Sequence, residues 1–190
     1  MPNVYDPKNL HRLDNPERRK LIPPRETLEK LGLNYGDVFV DIGAGAGYFA
    51  LPAAEITGTA GHVIATDISD EMLDALKKNA AEEGLSVETL LTPPDSLPLD
   101  DNTADMTFMA LVFHEVDDRV SFASELKRIT KPTGIIAIID WARVESPMGP
   151  PLDHRLPLEE AVSYVKASGL KVRTSGMIND YQYYIIATPQ

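Results

Sequence analysis

Apolar positions along this chain gather in short runs separated by longer amphipathic stretches, and the two alternate for most of its length. The runs at 37–41, 62–67, 86–91, 104–111 and 134–141 read as strands. Between and after them the pattern predicts helices at about 48–57, 69–84, 119–130 and 157–168, with Ser69 as an N-cap and Gly84 as the terminator of the second. Ahead of the first strand, Pro23-Pro24 opens a helix that ends near Gly32, and residues 2–22 form a partly helical lead-in interrupted by Pro2, Pro7 and Pro16. At the other end, LKVRTSGM (170–177) and YQYYIIAT (181–188) flank Asn179-Asp180, a pair suited to the turn of an antiparallel hairpin. Five strands alternating with helices, then a hairpin, predict an α/β fold: a mostly parallel seven-stranded sheet with helices on both faces and a C-terminal antiparallel hairpin.

Composition narrows the setting. A length of 190 residues is read as one domain, 1–190, with residues 1–30 a helical lead-in and candidate pocket lid. There is no cysteine, so no disulfide, thiolate metal site or cysteine nucleophile is available, and a cytoplasmic location is expected. The N-terminal stretch lacks the apolar core of a signal peptide, and no run reaches the ~18 apolar residues of a membrane span, so no membrane insertion is expected. The net charge of -11, from 18 basic and 29 acidic residues, repels a phosphate backbone and argues against nucleic acid as a partner. Against that background Arg12, Arg18, Arg19, Lys20 and Arg25 stand close together, a cluster read as a solvated helix face in preference to an anion site.

The stretch VFVDIGAGAGYFA (38–50) carries the candidate chemistry. A buried-strand pattern ends in Asp41, and Gly43, Gly45 and Gly47 then leave the following turn without side chains, so that a ligand can approach bare backbone. A dinucleotide fingerprint needs glycine where Tyr48 stands, and a phosphate-binding P-loop needs a lysine after Gly47 that is absent. With neither pattern present, the turn is not expected to anchor its ligand by phosphate.

The segment resembles the first motif of class I S-adenosylmethionine-dependent methyltransferases: an apolar strand, an acidic residue, then G-x-G-x-G, matched by Asp41, Gly43, Gly45 and Gly47. Asp67, ending the second strand, matches the family's ribose-binding acidic residue, and DSLPLDDNTADMTFMALVFHEV (95–116) is similar to its loop and strand four. Within the class the chain looks most like the branch that includes ubiquinone and menaquinone biosynthesis methyltransferases (methyltransferase type 11). The resemblance implies a Rossmann-like fold, S-adenosyl-L-methionine as cofactor, and a cofactor site of Asp41, Gly43, Ala44, Gly45, Gly47, Tyr48, Asp67, Ile68, Met72, Asp95, Ser96, Ala110 and Leu111. In chemical terms Asp67 can accept both ribose hydroxyls, Asp41 can face the ammonium directly or through water, and the glycines admit the methionine portion. The chain departs from the pattern at TPPDS, where Pro93 stands near the acidic residue that usually bonds adenine; Asp95 and Ser96 are the substitutes.

On the acceptor side His114 and Glu115 follow strand four. His114 either takes a proton from a hydroxyl or amine as the methyl moves, or packs and closes over the cofactor. Asp140 and Trp141 end strand five, and His154 and Arg155 follow a GPP loop that can fold over the pocket, completing the candidate substrate-binding set. His62 and His11 are given no catalytic role. The run Asp100, Asp101 and Asn102 reads as a turn, and no metal is expected. The acceptor is expected to be a small molecule; the pattern sets no oligomeric state. Two alternatives stay open: a noncatalytic S-adenosylmethionine-binding or assembly protein, and a nucleotide-dependent oxidoreductase on a related fold.

Overall fold

The structure is a computed structural model and describes residues 16–190. His11, Arg12 and the first part of the lead-in lie outside the described residues. Seven strands make up one mixed sheet. The described residues fall into two compact units that divide between Pro93 and Pro94.

The N-terminal unit begins with two short helices, α1 (Pro16–Leu21) and α2 (Pro24–Leu31). Pro23 caps α2 in an extended conformation, and Gly32 closes it at φ 91°, its N–H donating to the carbonyls of Leu28 and Glu29. Only a residue tolerant of positive φ ends a helix this way at little cost. Strand β1 (Val38–Ile42), helix α3 (Ala50–Thr57), strand β2 (His62–Asp67), helix α4 (Asp70–Glu83) and strand β3 (Glu88–Leu91) follow. The three strands are parallel, in the order β3-β2-β1, with Val38 opposite His62 and Ile64 opposite Glu88. Helix α4 begins as expected: the Ser69 hydroxyl accepts the Met72 N–H at 3.3 Å, and Gly84 ends the helix at φ 67°. Phe39, Val40, Val63, Ala65, Leu73 and Leu76 are buried; each large apolar side chain contributes ~1.5–3 kcal/mol.

The C-terminal unit comprises β4 (Ala104–Ala110), α5 (Arg119–Ile129), β5 (Thr130–Trp141), α6 (Leu158–Ala167), β6 (Lys171–Met177) and β7 (Gln182–Thr188). Its strand order is β4-β5-β7-β6, with β4 and β5 parallel and the β6–β7 hairpin antiparallel, as the sequence pattern predicts. The hairpin turn is held by Asn179, whose side-chain oxygen accepts the N–H groups of Tyr181 and Gln182 at 2.9 and 3.0 Å. Met106, Phe108, Ile136, Ile138, Tyr183 and Ile185 are among its fully buried side chains.

Two boundaries differ from the expected ones for identifiable reasons. Helix α3 starts at Ala50, since the glycine turn continues through Phe49. Strand β5 starts at Thr130, directly after α5, although Lys131-Pro132-Thr133-Gly134 reads as a break. Thr130 pairs with Ala104, and its hydroxyl bonds the Thr107 hydroxyl at 2.7 Å and the Leu126 carbonyl at 2.6 Å. The register slips between Ala104 and Met106, and an irregularity of this kind is where a strand tolerates proline.

Candidate functional site

In the N-terminal unit the end of β1, the glycine turn and the end of β2 form one hydrogen-bonded cradle. Gly43, Gly45 and Gly47 have φ of 69°, 54° and 99°, the left-handed region that favours glycine. The N–H groups of Gly43 and Ala44 both donate to the Thr66 carbonyl at 2.9 Å. The Gly45 N–H donates to Asp67 Oδ2 at 2.8 Å, and the Ser69 N–H to Asp67 Oδ1 at 2.9 Å. Asp67 is thereby fixed in orientation, while each of its oxygens retains a lone pair. The turn is also held from α4, where the Asn79 side-chain amide donates to the Ala46 carbonyl at 3.0 Å.

Asp41 lies beside this turn and is 2% exposed, and its Oδ2 has no hydrogen-bond partner among the described residues. Burial pushes its pKa up to about 7; the neighbouring Asp67 charge adds to the rise, while Arg18 and the Ala50 N–H oppose it. Asp67 is also raised, by burial, against the N–H groups of Ser69, Gly45 and Ile68. Arg18, on α1, stacks its guanidinium 4.0 Å from the centre of the Tyr48 ring, and Arg19 stands at 6.0 Å. The Tyr48 hydroxyl donates to the Ile22 carbonyl at 2.8 Å, tying the turn to the segment after α1. Arg18 therefore belongs beside the cradle, not on a purely solvated face. The signal for this was an aromatic residue directly after Gly47 together with a nearby run of arginines, a cation–π pairing that spacing alone does not reveal. Of the other residues in this unit, Met72 is buried in the first turn of α4 and Ile68 is 40% exposed beside Asp67.

In the C-terminal unit β4 ends at Ala110, and Leu111 follows at φ 63°, its N–H donating to the Ile139 carbonyl at 2.8 Å. A branched side chain in this region stores strain, as functional loops often do. A single 3₁₀ turn, Phe113–Glu115, then presents His114. Its Nδ1 is 2.7 Å from Asp140 Oδ1, and its backbone N–H donates to Asp140 Oδ2 at 2.8 Å. Glu115 Oε1 lies 3.7 Å from His114 Nε2, and Arg119 donates to the His114 carbonyl at 2.7 Å. Burial lowers the His114 pKa, but the hydrogen bond and charge of Asp140, with the charge of Glu115, outweigh it, so the net direction is upward.

The remaining acceptor candidates diverge. Trp141 is buried, and the Arg155 guanidinium stands 5.3 Å from the centre of its ring. Arg155 donates to the carbonyls of Pro150, Val144, Met148 and Ala142 and to the Ser146 hydroxyl, organising the loop before it. A cavity of about 460 Å³ lined by residues 145–152 and Arg155 lies in that loop. His154 is exposed, as are Asp95 and Ser96. Asp101 accepts from Arg128 at 2.8 Å in the turn before β4, and no group of three or more His, Asp or Glu able to hold a metal occurs among the described residues. None of the helices among the described residues is long and apolar enough to cross a membrane.

A mostly parallel sheet with a glycine turn after β1, acidic residues ending β1 and β2, and a C-terminal antiparallel hairpin defines the Rossmann-like class I methyltransferase fold. Residues 40–138 match the methyltransferase domain family, and the chain belongs to it. A SAM-dependent methyltransferase from Aquifex aeolicus has a similar crystal structure, with a TM-score of 0.92 at 33% identity over 98% of this chain and 100% of that one. The ubiquinone/menaquinone biosynthesis C-methyltransferase UbiE of Marinomonas sp. is 27% identical over 124 residues, 64% of this chain and 49% of that protein. An uncharacterized protein of Mycobacterium tuberculosis is 33% identical over 110 residues, 58% of this chain and 39% of that protein. The chain spans about half or less of the length of these curated relatives. The [4+2]-cyclase SpnF shares the fold, with a TM-score of 0.78 at 17% identity over 97% of this chain and 85% of that one. The family and the Aquifex neighbour imply S-adenosylmethionine as the cofactor. The chemistry of the cradle suits such a group: a buried carboxylate oxygen without a partner among the described residues would suit an ammonium, and an oriented carboxylate a diol.

Proposed function

We propose that this protein is a methyltransferase that moves the methyl group of S-adenosylmethionine to a small-molecule acceptor. The observation that carries the reading is the Asp41 carboxylate, buried beside a glycine turn with one oxygen unpartnered among the described residues. A buried carboxylate is costly unless a cation meets it. The cofactor's ammonium is such a cation, and the Arg18 guanidinium supplies the opposite charge for the carboxylate of the same amino acid end. Asp67 would hold the ribose diol, with Gly43, Ala44, Gly45, Gly47, Tyr48 and Met72 shaping the methionine and ribose walls. Ile68, apolar and 40% exposed, gives a planar base a surface to cover, with Asp95 and Ser96 as polar partners. Ala110 and Leu111 complete the proposed cofactor set.

When bound, the cofactor supplies an electrophilic methyl group on a sulfonium. The chain's contribution is to orient both reactants, since in-line geometry alone supplies much of the rate of such a transfer. His114, Glu115, Asp140, Trp141, His154 and Arg155 are the residues proposed for the acceptor side. Residues 1–190 are read as one catalytic domain, with Arg18 and Ile22 of the described part of the lead-in against Tyr48 of the glycine turn. A cytoplasmic setting with no nucleic-acid partner is proposed from the net charge of -11 and the lack of cysteine.

Calorimetry with S-adenosylhomocysteine tests the reading. Wild type should bind it and ignore nicotinamide dinucleotides, and Asp67→Ala should lose about ten- to two-hundredfold in affinity, the worth of a charge-assisted hydrogen bond. An unchanged constant in that variant removes Asp67 from the site. A second reading, cofactor binding without methyl transfer, draws on the [4+2]-cyclase neighbour, whose fold serves another reaction. Binding without transfer to any of a phenol, quinol, amine and carboxylate panel favours it.

A further inference from the structure

We propose that Asp140 is a positioning residue that makes His114 the general base of the reaction, and that the acceptor reacts through an ionisable hydroxyl. The inference rests on the methyltransferase reading above and goes beyond it in giving Asp140 a role and naming the acceptor class: a hydroxyl is a weak nucleophile until a base takes its proton, whereas a neutral amine attacks with its own lone pair, so a histidine held as a base serves a hydroxyl.

Asp140 is completely buried near the end of β5, and its carboxylate is taken up by three donors. Oδ1 faces His114 Nδ1 at 2.7 Å and accepts the Trp141 N–H at 2.8 Å, while Oδ2 accepts the His114 backbone N–H at 2.8 Å. The carboxylate thus grips His114 by ring and backbone together. A carboxylate beside Nδ1 assigns the proton to that nitrogen, which leaves the Nε2 lone pair to accept another. Arg119, at the start of α5, fixes the same turn from its carbonyl side. A histidine that only filled space would not need both ends held by one buried anion.

The charged and titratable groups around the ring are Asp140 on β5, Glu115 on the same turn, Arg119 on α5 and Tyr183 on β7, which is the cross-strand partner of Asp140. Two of them carry negative charge close to the ring, and they stabilise the imidazolium once it forms. The Tyr183 hydroxyl is buried without a hydrogen-bond partner among the described residues, and burial, then the Asp140 charge, raises its pKa, so it stays neutral and does not compete as the base. In the proposed step the acceptor O–H bond breaks and its proton goes to Nε2. An oxygen lone pair forms the new O–CH₃ bond, and the pair of the broken C–S bond returns to sulfur, which becomes a neutral thioether. The proton then leaves Nε2 to solvent.

Nitrogen-15 NMR of the His114 ring, assigned by its loss in His114→Gln and recorded with S-adenosylhomocysteine bound, tests this. Wild type should carry the neutral-state proton on Nδ1 and titrate above 6.5. Asp140→Asn should lower that pKa and abolish the Nδ1–H preference, with Asp140→Glu restoring part of both. If Asp140→Asn does not fold, wild type still decides: a ring protonated on Nε2, or titrating below 6.5, overturns the proposal. Transfer of labelled methyl to catechol and 4-nitrophenol supplies the second arm. Product on oxygen should fall about a hundredfold in kcat for His114→Gln and Asp140→Asn, with KM little changed and the acid limb of the pH profile lost. Product on carbon alone, or on none of these hydroxyls, overturns the acceptor class. Failure of S-adenosylhomocysteine to bind in the calorimetry above strikes the methyltransferase reading instead, so the two failures are distinguishable.

Discussion

Asp41 has a raised pKa, and the sign of its consequence can be worked through. The folded value, about 7, lies above the ordinary carboxylate range, so the buried group costs stability progressively as pH rises from about 4 through 7. An ammonium placed beside it reverses that cost, because it favours the ionised form. Affinity for S-adenosylhomocysteine should therefore rise with pH up to about 7 and be about a hundredfold weaker at pH 5. Calorimetry across pH 5–9 checks this; Asp41→Asn should bind weakly and without the acid limb. A flat wild-type profile removes Asp41 from the ammonium. The sequence made Asp41 legible because a strand followed by spaced glycines is a local pattern. It could not reveal Arg18 over Tyr48 or the grip of Asp140 on His114, which depend on residues 30 and 26 positions apart brought together by folding.

At the scale of elements, the turn after β1 and the loop before α6 differ in what holds them. A Cβ at Gly47, where φ is 99°, would stand 3.0 Å from Leu51 Cγ and 3.1 Å from Leu76 Cγ. Gly47→Ala should destabilise the protein by about 1–3 kcal/mol through strain and crowding together, read as a shift in the urea midpoint. The loop is organised by Arg155, which satisfies the carbonyls of Ala142, Val144, Met148 and Pro150. Arg155→Ala should cost about 2–4 kcal/mol and open 143–151 to proteolysis, because those carbonyls lose a shared cationic donor. If limited digestion cuts the variant and wild type alike, the guanidinium is not what orders the loop. The sequence marks Arg155 as a candidate substrate residue, but a charged residue after a GPP loop gives no sign of how many neighbouring carbonyls converge on it. The helix caps at Gly32, Ser69 and Gly84 were legible for the opposite reason: each is decided by chemistry within a few residues.

For the whole molecule the strand–helix alternation was sufficient to give the fold class and the hairpin, because each element announces its own periodicity. The start of β5 at Thr130 was hidden, since it depends on pairing with Ala104 and on the Thr107 hydroxyl, both distant in sequence. Ligand binding to the folded state alone raises stability by mass action, by about 2.7 kcal/mol at a hundredfold excess over Kd. In a chain of 190 residues that amounts to a rise of about 5–10 °C in Tm on adding S-adenosylhomocysteine, measured by differential scanning calorimetry. No rise at a concentration well above the calorimetric Kd contradicts selective binding to the native state. The chain also contains a single tryptophan, Trp141, and Gly149 of the loop packs so closely on its indole that an added Cβ would sit 2.9 Å from the ring. The molecule therefore carries an intrinsic fluorophore at the hinge of its own loop. Emission excited selectively at the indole reports one place only, and its intensity with and without S-adenosylhomocysteine reads the packing of Gly149 on the ring without any attached dye.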